Sequence, residues 1–210
     1  MQAACRSSHS HPWSHPATPT PFAPVTTPAN RPLDRRYQLL GQTMSMNVMI
    51  RTIGGEEWPL WRELRLRALT DSLDAFRATL EEESSQPDQW WAEIIGTTAE
   101  HPLGGLWIAT VDGEAAGILF GRIDPGHTTL QVGAMWVAPE VRGHGVGSSL
   151  IKAAIDWAKS SGVSVAELWV TEGNSEAAAF YESHGFQPTD ETDALRPGSD
   201  LTVRKLTTGI

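Results

Sequence analysis

Apolar and polar positions follow no regular pattern through residue 46 of this 210-residue chain and a repeating one from there on. Residues 47–53 (NVMIRTI) alternate as a strand does and stop at Gly54-Gly55. Residues 56–70 open with two acids and then place Leu60, Leu64, Leu66 and Leu69 near helical spacing, which predicts a helix. Residues 72–86 follow, with the triple acid Glu81, Glu82 and Glu83 read as a solvated helix face. Pro87-Asp88 then opens a second helix over residues 89–97, carrying Trp90, Trp91, Ile94 and Ile95.

Two apolar runs, 105–111 and 115–123, flank Asp112-Gly113. That dipeptide suits a type I′ turn, in which both central residues take positive φ, so the pair predicts a hairpin. Asp124-Pro125-Gly126 supplies a further turn into a strand over 129–137 (TLQVGAMWV). A glycine-rich turn follows, then a helix over 148–161 with Leu150, Ala154, Trp157 and Ala158 on one side and Gly162 as its stop. A strand at 166–171, another helix and a strand-rich end at 200–206 complete the order. Helices segregated around a mostly antiparallel sheet define an α+β fold, and there are no internal repeats.

Composition changes the picture mainly at the N-terminus. Seven of the fourteen prolines lie between Pro12 and Pro32, among Ser, Thr and His. Such a stretch has little apolar surface to offset ordering entropy, so residues 1–45 read as a disordered tail and 46–210 as the single folded domain. Met44, Met46 and Met49 all precede the first strand-like run, which suits a translation start downstream of residue 1. His9, His11 and His15 are potential metal ligands, but without a nearby carboxylate or thiol they read as a solvated tail, and no metal is expected.

The whole chain has 16 basic and 25 acidic residues, yet the first 46 positions hold four Arg and one Asp. The remainder therefore has 12 basic and 24 acidic residues. A nucleic acid would be repelled by that body. Cys5 is the one thiol, which excludes an intrachain disulfide and a thiolate zinc cluster. No run approaches the roughly 18 apolar residues of a membrane span, and no secretory apolar segment leads the chain. The expectation is a cytoplasmic protein without a membrane partner.

The turn after the fourth strand reads Arg142-Gly143-His144-Gly145-Val146-Gly147. Glycines between a strand and a helix let the backbone approach a ligand and leave amides free at a helix N-terminus, an arrangement suited to phosphate. The spacing matches neither a dinucleotide fingerprint nor a nucleotide P-loop, and a tight turn needing positive φ explains the glycines equally well.

Arg142-x-x-Gly145-x-Gly147, preceded by an apolar strand and Ala138-Pro139-Glu140, resembles the coenzyme A loop of the GNAT N-acetyltransferases. Downstream, Asn174, Ala177, Tyr181 and Gly185-Phe186 resemble the second half of that family's pattern. The likeness spans roughly residues 47–206, with its motifs inside 135–186. It implies a central, mixed but mostly antiparallel twisted sheet flanked by helices. It also implies acetyl-coenzyme A as cosubstrate, and acetyl transfer by direct attack of a primary amine on a small molecule or peptide. A catalytically silent acyl-coenzyme A-binding module is the alternative, and a homodimer is a compatible assembly.

Residue by residue, the resemblance implies a diphosphate cradle from the amides of Arg142, Gly143, Gly145, Val146 and Gly147. His144 is then either a solvent-exposed bystander or an adenine-phosphate contact. Met135, Trp136 and Val137 belong to the strand whose backbone would bind the pantetheine arm and stabilise a developing oxyanion. Tyr181 is the expected general acid for the thiolate, or else a core tyrosine beside Phe180. It lies two helical turns from Asn174, with Ala177 between them. Asn174 is a coenzyme A contact, an N-cap, or both. Glu172 is the nearest sequence candidate for a base, with Glu167 behind it and a water chain or a backbone carbonyl as alternatives. The acceptor pocket is expected near Trp58, Trp61, Phe76, Trp90 and Trp91, most of them core.

Overall fold

A computed structural model describes residues 46–123, 126 and 128–210. The N-terminal 45 residues, with Cys5 and His9, His11 and His15, lie outside the described residues, as does most of the Asp124-Pro125-Gly126 turn. Seven strands form one sheet: β1 (Val48–Thr52), β2 (Gly104–Val111), β3 (Glu114–Ile123), β4 (Thr129–Val137), β5 (Val165–Thr171), β6 (Gln187–Ala194) and β7 (Thr202–Gly209). Their spatial order is β1-β2-β3-β4-β5-β7-β6. Every neighbouring pair is antiparallel except β4 with β5, which is parallel. Among the described residues the α-helices are α1 (Trp58–Asp71), α2 (Leu80–Ser84), α3 (Asp88–Glu100), α4 (Val146–Ser160) and α5 (Ser175–Ser183). The α+β expectation, with a mixed and mostly antiparallel sheet between helices, holds.

The hairpin β2–β3 turns as its residues predict: Asp112 and Gly113 both have positive φ, 52° and 90°. Alternation along β3 and its partners decides which helices cover which face. Ile118 pairs with Trp136, whose indole reaches Asp71 at the end of α1. Leu119, one residue on, pairs with Trp107, whose ring meets Trp157 of α4 edge-on at 5.3 Å. So α1 lies over one face and α4 over the other. The core is buried between them, with Trp61, Leu64 and Leu69 of α1, Trp91 and Ile95 of α3, and Leu150, Ile151 and Ala154 of α4.

Two features depart from the sequence reading. Glu83 does not belong to a solvated face: its side chain is fully buried and forms a two-point ion pair with Arg65 of α1, at 2.8 and 2.9 Å. Arg65 also lies over the Phe76 ring at 4.6 Å. The buried partner on α1 turns one acid of the triplet inward, and Glu81 and Glu82 remain exposed. Second, β6 is a strand that its sequence, QPTDETDA, does not announce. It is an outer strand, mostly exposed, paired with β7 through a register shift between Pro188 and Thr192. Its identity comes from that pairing and not from an apolar alternation.

Candidate active site

The site is built where the sheet divides. β4 and β5 run in parallel and are paired only at their starts, Thr129 with Val165, Leu130 with Ala166 and Gln131 with Glu167. Beyond those pairs the two strands separate, and the later part of β4 loses its neighbour on that side. A bulge in the same part of β4 bends it further: Phe120 faces Gly133 while Ile118 faces Trp136, so β4 carries one extra residue there. Ala134 sits within that bulge with φ at +49°, a left-handed conformation seldom adopted by a residue with a side chain and concentrated at functional sites. The sequence reading missed the bulge; Gly133-Ala134 inside an apolar strand was the available signal.

At the end of β4 a 3-10 turn, Pro139–Val141, leads into the glycine loop and then α4. Gly143 and Gly145 have φ of +78° and +81°, with nothing within 4 Å of where a Cβ would stand. The loop thus needs glycine for conformation and presents an open surface. Among the described residues, the amides of Gly143, His144, Gly145, Val146, Gly147 and Ser148 donate to no backbone carbonyl at hydrogen-bonding geometry. They lie at or just before the positive end of α4. The amide of Arg142 is engaged with Pro139 O at 3.3 Å, so it is not among the free donors. His144 is exposed and its Nδ1 lies 2.9 Å from Arg142 O.

Gly147 is different. A Cβ there would come within 3.1–3.3 Å of Phe180 and of Met135 Cε. Glycine at this position lets α5 and the bulged part of β4 close on the first turn of α4. Within that contact the Tyr181 hydroxyl donates to Met135 Sδ at 3.3 Å. Burial pushes the phenol well above its ordinary value, so it remains protonated throughout the neutral range. Asn174 caps α5 by accepting from the amide of Ala177 at 3.1 Å. His184, at the other end of α5, bridges to Ser148 of α4 at 2.9 Å.

The remaining sequence candidates are placed as follows. Val137 O already accepts from Arg142 Nε at 3.0 Å, and the Trp136 side chain is buried on the α1 face. Glu172 lines a cleft of about 350 Å³ between the end of β5, α5 and β7, together with Asn174, Ala178 and Glu182. It is held there by Arg204, at 2.5 and 3.1 Å. Glu167 lies on the opposite face of β5, where it accepts from Gln131 at 3.3 Å and stands 3.6 Å from Lys205 Nζ. Lys205 also meets Glu191 at 2.7 Å and lies 5.3 Å from the Trp169 ring. Burial opposes its charge, but Glu191 and Glu167 outweigh that and hold its ammonium above the ordinary value.

Trp61 and Trp91 are entirely buried, Phe76 nearly so, and Trp58 and Trp90 are half-buried. On the α1 face of β5 beside the split stands Trp169, which the sequence reading did not single out. Its outward position in an alternating strand was the available signal. Asp71 was likewise missed. It accepts from Ser72 Oγ at 2.7 Å, from Trp136 Nε1 at 2.9 Å and, in a short contact, from Arg142 Nη2. Partial burial alone would raise its carboxyl, but those three donors prevail and hold it below the ordinary value. A group so lowered stabilises the fold above its unfolded value near 3.9 and loses that effect as pH falls through the folded one. Melting curves of the wild type and Asp71→Asn should therefore differ at pH 7 and draw together as pH falls below the ordinary carboxylate range.

Among the described residues, no cluster of three or more His, Cys, Asp or Glu could hold a metal ion, and no helix is long and apolar enough to cross a membrane. A split sheet, an open amide loop at a helix N-terminus and a phenol thus lie together along the later part of β4. Residues 61–186 match the model of the acetyltransferase (GNAT) family, and the chain belongs to that family.

A probable N-acetyltransferase of Mycobacterium tuberculosis is 27% identical over 152 residues, covering 72% of this chain and 82% of that protein. Four further curated relatives are matched over only 39–57% of their own lengths. The fold is similar to a PaiA N-acetyltransferase from Thermoplasma acidophilum solved with coenzyme A, with a TM-score of 0.63 and 18% identity over 79% of this chain and all of that one. It is also similar to a spermidine N-acetyltransferase of Vibrio cholerae solved with coenzyme A and spermine, with a TM-score of 0.64 and 15% identity over 77% of this chain and 95% of that one.

Proposed function

We propose that the protein is an acetyl-coenzyme A-dependent N-acetyltransferase acting on a primary amine. One observation carries this reading: the free amides of the glycine loop and the protonated phenol of Tyr181 flank the same divided part of β4. The residues suit the carrier. Open space over Gly143 and Gly145 and a helix N-terminus fit a diphosphate, and a strand edge without a neighbour fits the amides of a pantetheine arm. When bound, acetyl-coenzyme A supplies an activated acyl group on sulfur.

The chain's own residues have three tasks. The amides of Gly143, Gly145, Val146 and Gly147 hold the diphosphate and fix the register of the arm. The backbone at the Ala134 bulge orients the acyl oxygen and can stabilise charge developing on it. Tyr181 holds a proton at its hydroxyl for the departing sulfur. The incoming ammonium first releases a proton to solvent; the proton it sheds on forming the amide returns the phenol to its starting state.

The acceptor approaches the separated part of β4 and β5. The acidic balance of the chain favours an amine-bearing small molecule or peptide over nucleic acid.

Thiol release from acetyl-coenzyme A against a panel of primary amines tests this reading; turnover with at least one is expected. Tight coenzyme A binding without turnover on any amine would leave a silent binding module instead. Gly145→Asp should weaken acetyl-coenzyme A binding at least tenfold. A side chain at φ of +81° is strained by about 1–2 kcal/mol, and a carboxylate would face the diphosphate. An unaltered dissociation constant by calorimetry would contradict the cradle.

A further inference from the structure

We infer that Asp71, at the end of α1 and outside the glycine loop, is a positioning residue for the diphosphate cradle, acting through Arg142. This rests on the cofactor reading above. Asp71 is the last residue of α1, the negative end of the helix dipole, where an acid is unfavourable unless compensated. Its carboxylate gathers three donors from three places: Ser72 after its own helix, Trp136 on β4 and Arg142 at the head of the glycine loop. Arg142 in turn donates through Nε to Val137 O at 3.0 Å. The guanidinium is thus fixed between the end of β4 and the end of α1, immediately before Gly143.

Around Gly143 and Gly145 themselves the loop is open. Gly143 and Gly145 both take positive φ with no side-chain packing around them. Its other local restraints include Arg142 N to Pro139 O at 3.3 Å, Ser149 N and Oγ to Gly145 O at 3.0 and 3.1 Å, and His144 Nδ1 with Arg142 O at 2.9 Å. A glycine loop left free would lose more conformational entropy on closing around a ligand. Anchoring residue 142 removes part of that cost before the carrier arrives. The same contact occupies the positive charge of Arg142, so the diphosphate is met by amides and the helix dipole and not by this side chain.

The test compares coenzyme A with S-acetylpantetheine, which has no diphosphate. Calorimetric dissociation constants are measured on the full chain for wild type, Asp71→Asn, Arg142→Met and the double variant. Asp71→Asn keeps the shape of the site and an acceptor for Trp136, so it isolates the loss of charge. The expected result is that the preference of the wild type for coenzyme A over acetylpantetheine falls at least fivefold in Asp71→Asn. No further fall is expected when Asp71→Asn is added to Arg142→Met.

An unchanged preference, or equal weakening of both ligands, would overturn the inference, since general damage to the fold does not distinguish them. Tighter coenzyme A binding by Asp71→Asn would also overturn it, by showing that Asp71 withholds Arg142 from the phosphates. A wild type that binds no coenzyme A would remove the cofactor reading itself, and this inference with it; binding by the wild type with an unchanged preference would remove this inference alone.

Discussion

Tyr181→Phe slows turnover about a hundredfold while leaving coenzyme A bound, if the phenol serves as the acid for the departing sulfur. General acid catalysis contributes roughly 10²–10⁴ in rate, and the lower end applies where solvent can partly substitute. The substitution is otherwise mild. The hydroxyl donates only to the thioether of Met135, a weak acceptor. The ring keeps its edge-on contacts with Phe180 at 5.1 Å and Phe186 at 5.8 Å.

A tyrosine retained solely for packing would therefore show almost no change in rate, so the two roles give widely separated results. Steady-state thiol release at saturating substrates reads the difference, and calorimetry with coenzyme A confirms that the site is intact. The same burial predicts the shape of the pH profile. Because the phenol is held above its ordinary value near 10, the rate should not decline at the pH where a free tyrosine ionises. A descending limb centred near pH 10 that disappears in Tyr181→Phe would argue against a phenol held above its ordinary value.

Glu83→Gln is expected to destabilise the domain by about 3–5 kcal/mol, because it removes one charge of an almost wholly buried ion pair. Both side chains are almost wholly removed from solvent, with 4% and 0% exposure. The pair joins α2 to α1 across residues 72–79, the segment that passes over the α1 face of the sheet. That segment is tied down elsewhere by Thr171 Oγ1 to Asp74 O at 2.6 Å and by Arg196 to Phe76 O at 2.9 Å. Thermal melting should show a fall on the order of 10 °C for a domain of this size. A change within 1–2 °C would mean that water reaches Arg65 and that the pair contributes little.

The glycine loop was legible in the sequence because its chemistry is local. Positive φ at Gly143 and Gly145 and free amides at the head of a helix require only neighbouring residues. The same holds for the Asp112-Gly113 turn, the apolar side of α4 and the Asn174 cap, each readable within a few positions. The strands β2, β3 and β4 were legible for a similar reason, since each is long and apolar enough to declare itself.

What could not be read depended on partners far along the chain. Glu83 looked solvated among three acids until Arg65 turned it inward. Asp71 looked like an ordinary helix end until Trp136 and Arg142, 65 and 71 residues away, came to it. β6 became a strand only because β7 offered an edge.

By itself the chain determined its longer helices and its apolar strands, the phosphate-ready turn and the face that α5 presents, since backbone conformation and spacing obey short-range rules. Where β4 parts from β5, how far the bulge at Ala134 bends the strand, and which buried charges meet were decided only on folding. Hydrogen-bond register and charge pairing depend on distances that no stretch of sequence contains.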